Sequence, residues 1–101
     1  MEPDAYVEAV LTLVERIPPG RVTTYGTLAE AVRYGGPRRV GRVMATYGGA
    51  VPWWRVVRAD GSLPPSHDVD ARPYYLEEGT PLRPTGNVDI KRAFWRPPAL
   101  R

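Results

Sequence analysis

The chain has 101 residues, with no cysteine and a single histidine, His67, which excludes a disulfide scaffold, a thiolate metal site and a thiol nucleophile. Its length fits one domain over 1–101, and we expect neither a metal nor a cofactor. Residues 16–58 hold eight arginines against one acid, Glu30, whereas the rest of the chain holds six basic and ten acidic residues. Because arginine donates two parallel hydrogen bonds to phosphate, this distribution predicts a surface that faces a polyanion.

The first predicted element is an amphipathic helix capped by Asp4. Its apolar residues recur at three- and four-residue steps as far as Ile17, and the run of two prolines and a glycine at 18–20 ends it. The next segment, 21–24, is predicted to be short and extended.

Two short helices joined by a glycine-containing turn follow. Thr24 or Thr27 caps the first, and Pro37 occupies the first turn of the second, where proline is tolerated, so that the second covers about 38–47. Two such helices with arginine on the second are typical of a DNA-binding helix-turn-helix, here over about 24–47.

The second of these helices carries two arginines on one face. Arg38, Arg42 and Ala45 lie three or four residues apart, with Gly41 beside them. The small residues would let the backbone approach a groove closely while the arginines reach past it. The alternative is an ordinary surface helix with solvated arginines. The opposite face is predicted to be apolar and comprises Val40, Val43, Met44 and Tyr47.

A short β wing and another helix are predicted after this motif. Residues 54–58 favour a strand, 59–62 a tight turn and 63–66 a loop. Asp70 is expected to cap a helix that ends at Gly79.

The proline-rich tail over about 80–101 is predicted to be loop and short strand, with Phe94 and Trp95 packing it onto the body. Together these elements predict a mainly α fold with a short β wing, that is, a winged helix-turn-helix. One function compatible with this pattern is that of a sequence-specific transcriptional regulator. A lyase or glycosylase and a structural DNA-coating protein are further alternatives.

No stretch approaches the roughly 18 apolar residues of a membrane span, so we expect no membrane partner. The first ten residues lack the basic and apolar regions of a signal peptide. We therefore expect a cytoplasmic protein, associated with the nucleoid if its source is prokaryotic.

Three short motifs occur in a fixed order: GRVTTYGTLA at 20–29, RRVGRVM at 38–44 and PWWRV at 52–56. With these motifs the chain resembles the C-terminal domain of O6-alkylguanine-DNA alkyltransferases. It resembles most closely their non-enzymatic relatives, the alkyltransferase-like proteins. The resemblance runs from about residue 7 to residue 78 and implies the winged helix-turn-helix fold of that domain.

The third motif is P-C-H-R-V in the alkyltransferases, where the cysteine accepts the alkyl group. By resemblance, Trp53 stands at the position of this cysteine and Trp54 at that of the histidine that activates it, while Glu78 matches the glutamate of the same relay. Tryptophan at the acceptor position is characteristic of the alkyltransferase-like proteins, most of which keep the histidine. Because an indole is no nucleophile comparable to a thiolate, we expect no alkyl transfer and no enzyme activity.

The resemblance also implies which residues contact DNA. Tyr25 matches the tyrosine that crowds the 3′ phosphate and rotates the nucleotide out, and Arg38 matches the arginine that fills the vacated space, with Arg39 as a candidate one residue away. The surface that enters the minor groove is matched by Thr24, Gly41, Arg42 and Ala45.

A base pocket is implied at 51–57. Its floor is matched by Val51, Pro52, Trp53, Trp54 and Arg55, and its lid by the loop after Gly61, around Pro65 and Ser66. The resemblance thus implies a protein that binds double-stranded DNA containing O6-alkylguanine, flips the damaged nucleotide and signals to nucleotide excision repair. Because the pattern leaves no apolar helix for dimerisation, we expect a monomer.

Structural alternatives exist for several of these residues. Tyr25 could pack a turn, and Trp53 and Trp54 could both belong to the core. His67 is predicted to be a loop residue without a role, and Glu78 to be structural, with a hydrogen bond to the turn near the pocket.

Overall fold

The computed structural model describes residues 3–98, apart from the side chains of Pro3, Pro65 and Ser66. Over these residues the chain forms five α-helices and two short strands: α1 Pro3–Arg16, β1 Thr23–Thr24, α2 Tyr25–Val32, α3 Pro37–Tyr47, β2 Val56–Val57, α4 Pro65–Glu78 and α5 Ile90–Ala93. The predicted mainly α fold with a short β element is confirmed.

Helix α1 forms because its apolar residues share one face, which is buried in the core. Tyr6, Val10 and Leu13 are each at most 1% exposed. The helix begins at Pro3, one residue before the predicted cap, so that Asp4 lies inside its first turn. A carboxylate there still interacts favourably with the positive end of the helix dipole.

Helices α2 and α3 form the predicted helix-turn-helix. Thr24, and not Thr27, is the N-cap of α2, and its hydroxyl oxygen accepts a hydrogen bond from the Thr27 N–H at 3.1 Å. Arg33 ends this helix in the left-handed conformation, with φ of 63°. Pro37 begins α3, as predicted, at a position where its missing N–H costs no helical hydrogen bond.

The β element is a parallel pair, in which Thr23 lies opposite Val56 and Thr24 opposite Val57. The strand predicted over 54–58 is shorter than expected, because Trp53–Arg55 forms a 3₁₀ turn closed by a hydrogen bond from the Arg55 N–H to the Pro52 carbonyl. Strand β2 separates two parts of the core. Val56 packs with α1–α3 and Val57 with α4 and the tail, since successive strand residues point to opposite sides.

Helix α4 starts earlier than predicted. It begins at Pro65, so the loop expected over 63–66 is only partly present and Asp70 lies inside the helix instead of capping it. Two features explain why the sequence pattern did not predict the start of this helix. Most of its residues face solvent, which leaves little apolar period, and Pro73 lies within it, where proline removes one helical hydrogen bond. Its predicted end at Gly79 is confirmed, with φ of 70°.

The tail contains a helix, α5, that was not predicted, because a single turn is too short to show periodicity. Beyond it the tail pairs with Val22, the residue directly before β1. The Val22 N–H donates to the Ala93 carbonyl at 3.0 Å, and the Trp95 N–H donates to the Val22 carbonyl at 2.8 Å. Trp95 packs against the α1–α3 core, as expected. No helix in residues 3–98 has both the length and the apolar character needed to cross a bilayer.

Candidate nucleic-acid interface

A cavity of about 300 Å³ lies between α3, the Trp53 turn and the start of α4. This volume is at the lower end of the range of roughly 300–1,000 Å³ found for small-molecule sites. The described residues that line it are Tyr25, Gly41, Met44, Ala45, Gly48, Gly49, Trp53, Leu63, Pro64, His67 and Asp70. Among the residues described, no group of three or more acidic or histidine side chains could hold a metal ion.

Helix α3 turns small residues towards this cavity. At Gly41 a Cβ would meet nothing within 4 Å, so a larger side chain would project into open space. At Gly48, which follows the helix, a Cβ would lie 3.2 Å from the Met44 methyl group. Together with Ala45, these glycines leave the space beside the helix open.

Trp53 forms a wall of the cavity and is held by edge contacts with other rings. Its ring centroid lies 5.7 Å from Trp54 at 86°, 6.1 Å from Tyr74 at 77° and 5.6 Å from the tilted His67 ring. Trp54 stacks on Tyr74 at 3.8 Å. Such contacts restrict the orientation of an aromatic ring, so the wall is preformed.

Glu78 lies beneath this aromatic group and accepts hydrogen bonds on both carboxylate oxygens. Oε1 accepts from the Gly20 N–H and from Arg55 Nε, each at 3.1 Å, and Oε2 accepts from the Trp54 indole N–H at 3.0 Å and from Arg55 Nη2. Arg55 also donates to the Ile17 carbonyl at 2.8 Å. The network ties the end of α4 to the Trp53–Arg55 turn and to the turn after α1.

The ionised form of Glu78 is favoured in this network. Burial raises the pKa of the carboxyl group, but hydrogen bonds from Arg55, Gly20 and Trp54 together lower it by more. The pKa therefore lies below its ordinary value. The predicted hydrogen bond to the turn at Gly20 is present. Trp54 supplies an N–H donor to the carboxylate and no proton acceptor, so these two residues cannot activate a nucleophile as a histidine and glutamate can.

Tyr25, at the start of α2, is half-buried and lines the cavity next to α3. Burial raises the pKa of its phenol, and the neighbouring positive charge of Arg58 offsets part of this rise. The hydroxyl is therefore neutral at physiological pH and can donate a hydrogen bond.

The arginines of α3 lie on the other flank of the helix. Arg38 and Arg42 are exposed and border a shallow groove between α3 and α1. Arg39 is half-buried, and its guanidinium lies 4.7 Å from the ring centroid of Tyr6 and 4.9 Å from that of Tyr34. Arg39 thus packs against the protein, whereas Arg38 points outward.

The predicted DNA-binding residues are distributed over both flanks. Tyr25, Gly41 and Ala45 line the cavity, whereas Arg38 and Arg42 lie in the groove, and Thr24 caps α2.

Tyr47 was predicted to lie on the apolar face of α3 but is 52% exposed, because it borders the groove and is not packed in the core.

Of the residues predicted to form the floor of the base pocket, Trp53 alone lines the cavity. Val51 is buried in the core, Pro52 begins the 3₁₀ turn, and Trp54 and Arg55 bind Glu78 behind the wall. The side chain of Ser66 lies outside the described residues.

Two lining residues of the cavity were not predicted from the sequence. His67, predicted to be a loop residue, and Asp70, predicted to be a cap, line the cavity one helical turn apart on α4. Their spacing of three residues would have placed them on one face of a helix had α4 been extended to Pro65.

The fold and the site define a class of protein: a DNA-binding helix-turn-helix domain whose arginine-bearing helix borders a cavity with an aromatic wall. Residues 5–79 match the model of the family described as 6-O-methylguanine DNA methyltransferase, DNA binding domain. The chain belongs to this family, as one of its alkyltransferase-like members.

Two curated relatives are similar over most of the chain. The DNA base-flipping protein of Vibrio parahaemolyticus is 29% identical over 99 residues, which cover 93% of this chain and 99% of that protein. The DNA base-flipping protein of Escherichia coli is 34% identical over 99 residues, which cover 91% of this chain and 75% of that protein.

Two crystal structures from S. pombe have a similar fold. Atl1 in complex with damaged DNA containing O6-carboxymethylguanine superposes with a TM-score of 0.79 at 26% identity, over 96% of this chain and 100% of that one. The S. pombe ATL in complex with DNA gives a TM-score of 0.76 at 27% identity, with the same coverage of both chains.

Proposed function

We propose that this protein recognises O6-alkylguanine in double-stranded DNA by flipping the damaged nucleotide into the cavity, without transferring the alkyl group. The observation that carries the proposal is the cavity itself, which opens beside the helix-turn-helix and has Trp53 as a preformed wall. By resemblance to the alkyltransferases, Trp53 stands at the position of their alkyl acceptor. The family, the base-flipping relatives and the Atl1 complex with damaged DNA support it.

Each part of the site has a physical task in this proposal. Helix α3 lies in the minor groove, where base edges carry little sequence information, which suits a protein that recognises damage in any context. Tyr25 crowds the backbone and Arg38 fills the space left in the base stack. Flipping costs a few kcal/mol, and less at O6-alkylguanine because the modification removes the N1 proton that pairs with cytosine.

Binding to a duplex with a single O6-methylguanine is expected to be markedly tighter than binding to the same duplex with guanine. The measurement is a titration of both duplexes, followed by fluorescence anisotropy at one stated salt concentration. A control pair with the flanking sequence scrambled should show the same preference. Equal affinity for damaged and undamaged duplexes would refute the proposal, and a dependence on the flanking sequence would favour a transcriptional regulator instead.

Incubation with DNA that carries a radiolabelled methyl group on O6 of guanine is expected to leave no label on the protein. The reason is that Trp53 offers no lone pair comparable to a thiolate. The label should stay in the DNA after the protein is denatured and separated. A labelled protein band would show that the chain is an alkyltransferase.

Because a bound lesion is not converted, it must be passed to a system that removes it. The resemblance to the alkyltransferase-like proteins favours nucleotide excision repair as this system, and stimulation of lesion incision in a reconstituted reaction would test it. The proposal also includes action as a monomer and a cytoplasmic location, with association to the nucleoid if the source is prokaryotic.

A further inference from the structure

The two flanks of α3 differ in charge. The groove on one side is bordered by three arginines, Arg38, Arg39 and Arg42. On the cavity side, the described lining contains neither arginine nor lysine, and Asp70 is its one carboxylate. A group that enters the cavity therefore meets aromatic rings and a negative charge. The three arginines of α3 lie across the helix, and Arg58, whose charge acts on the Tyr25 phenol, is not part of the lining.

The position of Asp70 matters because of what lies near it. His67 is one turn before Asp70 on the same face of α4, and its ring centroid is 5.6 Å from that of Trp53. In the proposed function, Trp53 stands where the alkyl group is accepted in the alkyltransferases. In the proposed complex the O6 substituent of a flipped guanine therefore lies beside Trp53, with His67 and the exposed Asp70 in the same lining.

We infer that Asp70 makes this site selective for the charge of the O6 substituent: it favours neutral or hydrogen-bond-donating groups and disfavours anionic ones. This inference rests on the proposed function. A carboxylate brought near another carboxylate is repelled, and no cation in the described lining compensates for it. A hydroxyethyl group can instead donate a hydrogen bond to Asp70 or His67. Atl1 was crystallised with O6-carboxymethylguanine, an anionic adduct, so this selectivity would set the two proteins apart.

The test uses the full chain and four duplexes that differ only at one guanine, which is unmodified or carries O6-methyl, O6-(2-hydroxyethyl) or O6-carboxymethyl. The wild-type protein should bind the methyl and hydroxyethyl duplexes more tightly than the carboxymethyl duplex. Asp70→Asn should narrow the ratio of methyl to carboxymethyl affinity by about fivefold, the size expected for two unit charges about 4 Å apart at a solvated surface. Glu77→Gln is the matched control, because Glu77 is an exposed acid of α4 outside the cavity lining.

The outcomes separate this inference from the proposed function. A ratio that Asp70→Asn leaves unchanged, or that Glu77→Gln changes equally, would overturn the role of Asp70 while O6-methylguanine recognition stands. Wild-type binding of the carboxymethyl duplex that equals or exceeds binding of the methyl duplex would overturn it as well. Loss of the preference for O6-methylguanine over guanine would overturn both. Any general effect of the lost negative charge on DNA affinity cancels in the ratio.

Discussion

Replacement of Arg38 by alanine is expected to weaken binding to O6-methylguanine DNA by about 1–3 kcal/mol, that is, roughly 5- to 150-fold. Arg38 is exposed in the first turn of α3, on the flank that faces away from the cavity. In the proposed complex it enters the base stack and binds the orphaned cytosine. The alanine side chain can do neither, so nothing fills the space that the flipped nucleotide leaves in the base stack.

Arg39 provides the matched control for this prediction. Its guanidinium lies within 5 Å of the ring centroids of both Tyr6 and Tyr34, so Arg39→Ala removes contacts inside the protein. Such contacts contribute about 0.5–2 kcal/mol, which should appear as a lower melting temperature. The ratio of damaged to undamaged DNA affinity should change little.

Anisotropy titrations and thermal denaturation of both variants distinguish these effects. The expected pattern is lost lesion affinity with normal stability for Arg38→Ala, and the reverse for Arg39→Ala. If Arg39→Ala abolishes lesion preference and Arg38→Ala does not, the assignment of the inserted arginine is wrong by one residue.

Replacement of Glu78 by alanine is expected to destabilise the fold by about 3 kcal/mol. The side chains of Glu78 and Arg55 are each 12% exposed, so the substitution leaves the guanidinium largely buried without its partner. The Gly20 N–H and the Trp54 indole N–H lose their acceptor as well. For a domain of about 100 residues, a loss of this size lowers the melting temperature by roughly 12–24 °C.

Glu77→Ala is the control, because Glu77 is the exposed neighbour on the same helix. Its effect should be within about 0.5 kcal/mol. Calorimetry or circular dichroism measures both variants. A melting temperature for Glu78→Ala that matches that of Glu77→Ala would show that the network around Glu78 contributes nothing to stability.

The pH dependence of the same carboxylate has a definite sign. Because its pKa is lower in the folded state than in the unfolded chain, its contribution is fully present above the ordinary glutamate value of about 4.3. It is lost as the pH falls through the folded pKa. The wild-type protein should therefore lose more stability on acidification below about pH 4 than Glu78→Ala does.

The helical half of the fold could be predicted because its signals are local. Periodicity predicted α1, a threonine cap at 24 or 27 and Pro37 indicated the starts of α2 and α3, and the glycine at 79 marked the end of α4. The elements that were missed or shortened have no such signal. The start of α4 lacks an apolar period, α5 is one turn long, and β2 depends on a partner strand distant in the chain.

Some residues of the candidate site could likewise be predicted from the sequence, and others could not. The residue types at Trp53, Tyr25 and Arg38 were recognisable from motifs, because a motif records chemistry at a position. The positions of His67 and Asp70 in the lining were not, because they depend on how α4 packs across the Trp53 turn. The different environments of Arg38 and Arg39 also depend on the tertiary structure, because the rings that hold the Arg39 guanidinium, Tyr6 and Tyr34, come from other parts of the chain.

The sequence by itself determined that this protein has no thiol and that arginine is concentrated around a helix-turn-helix. Its resemblance to the alkyltransferases implied that Trp53 stands at the position of the alkyl acceptor. These are properties of residue identity and local spacing. Only the tertiary structure decided that arginines and a carboxylate lie on opposite flanks of α3, and that the Trp54 indole N–H donates a hydrogen bond to Glu78. Both depend on contacts between residues that are distant in the chain, which no local pattern records.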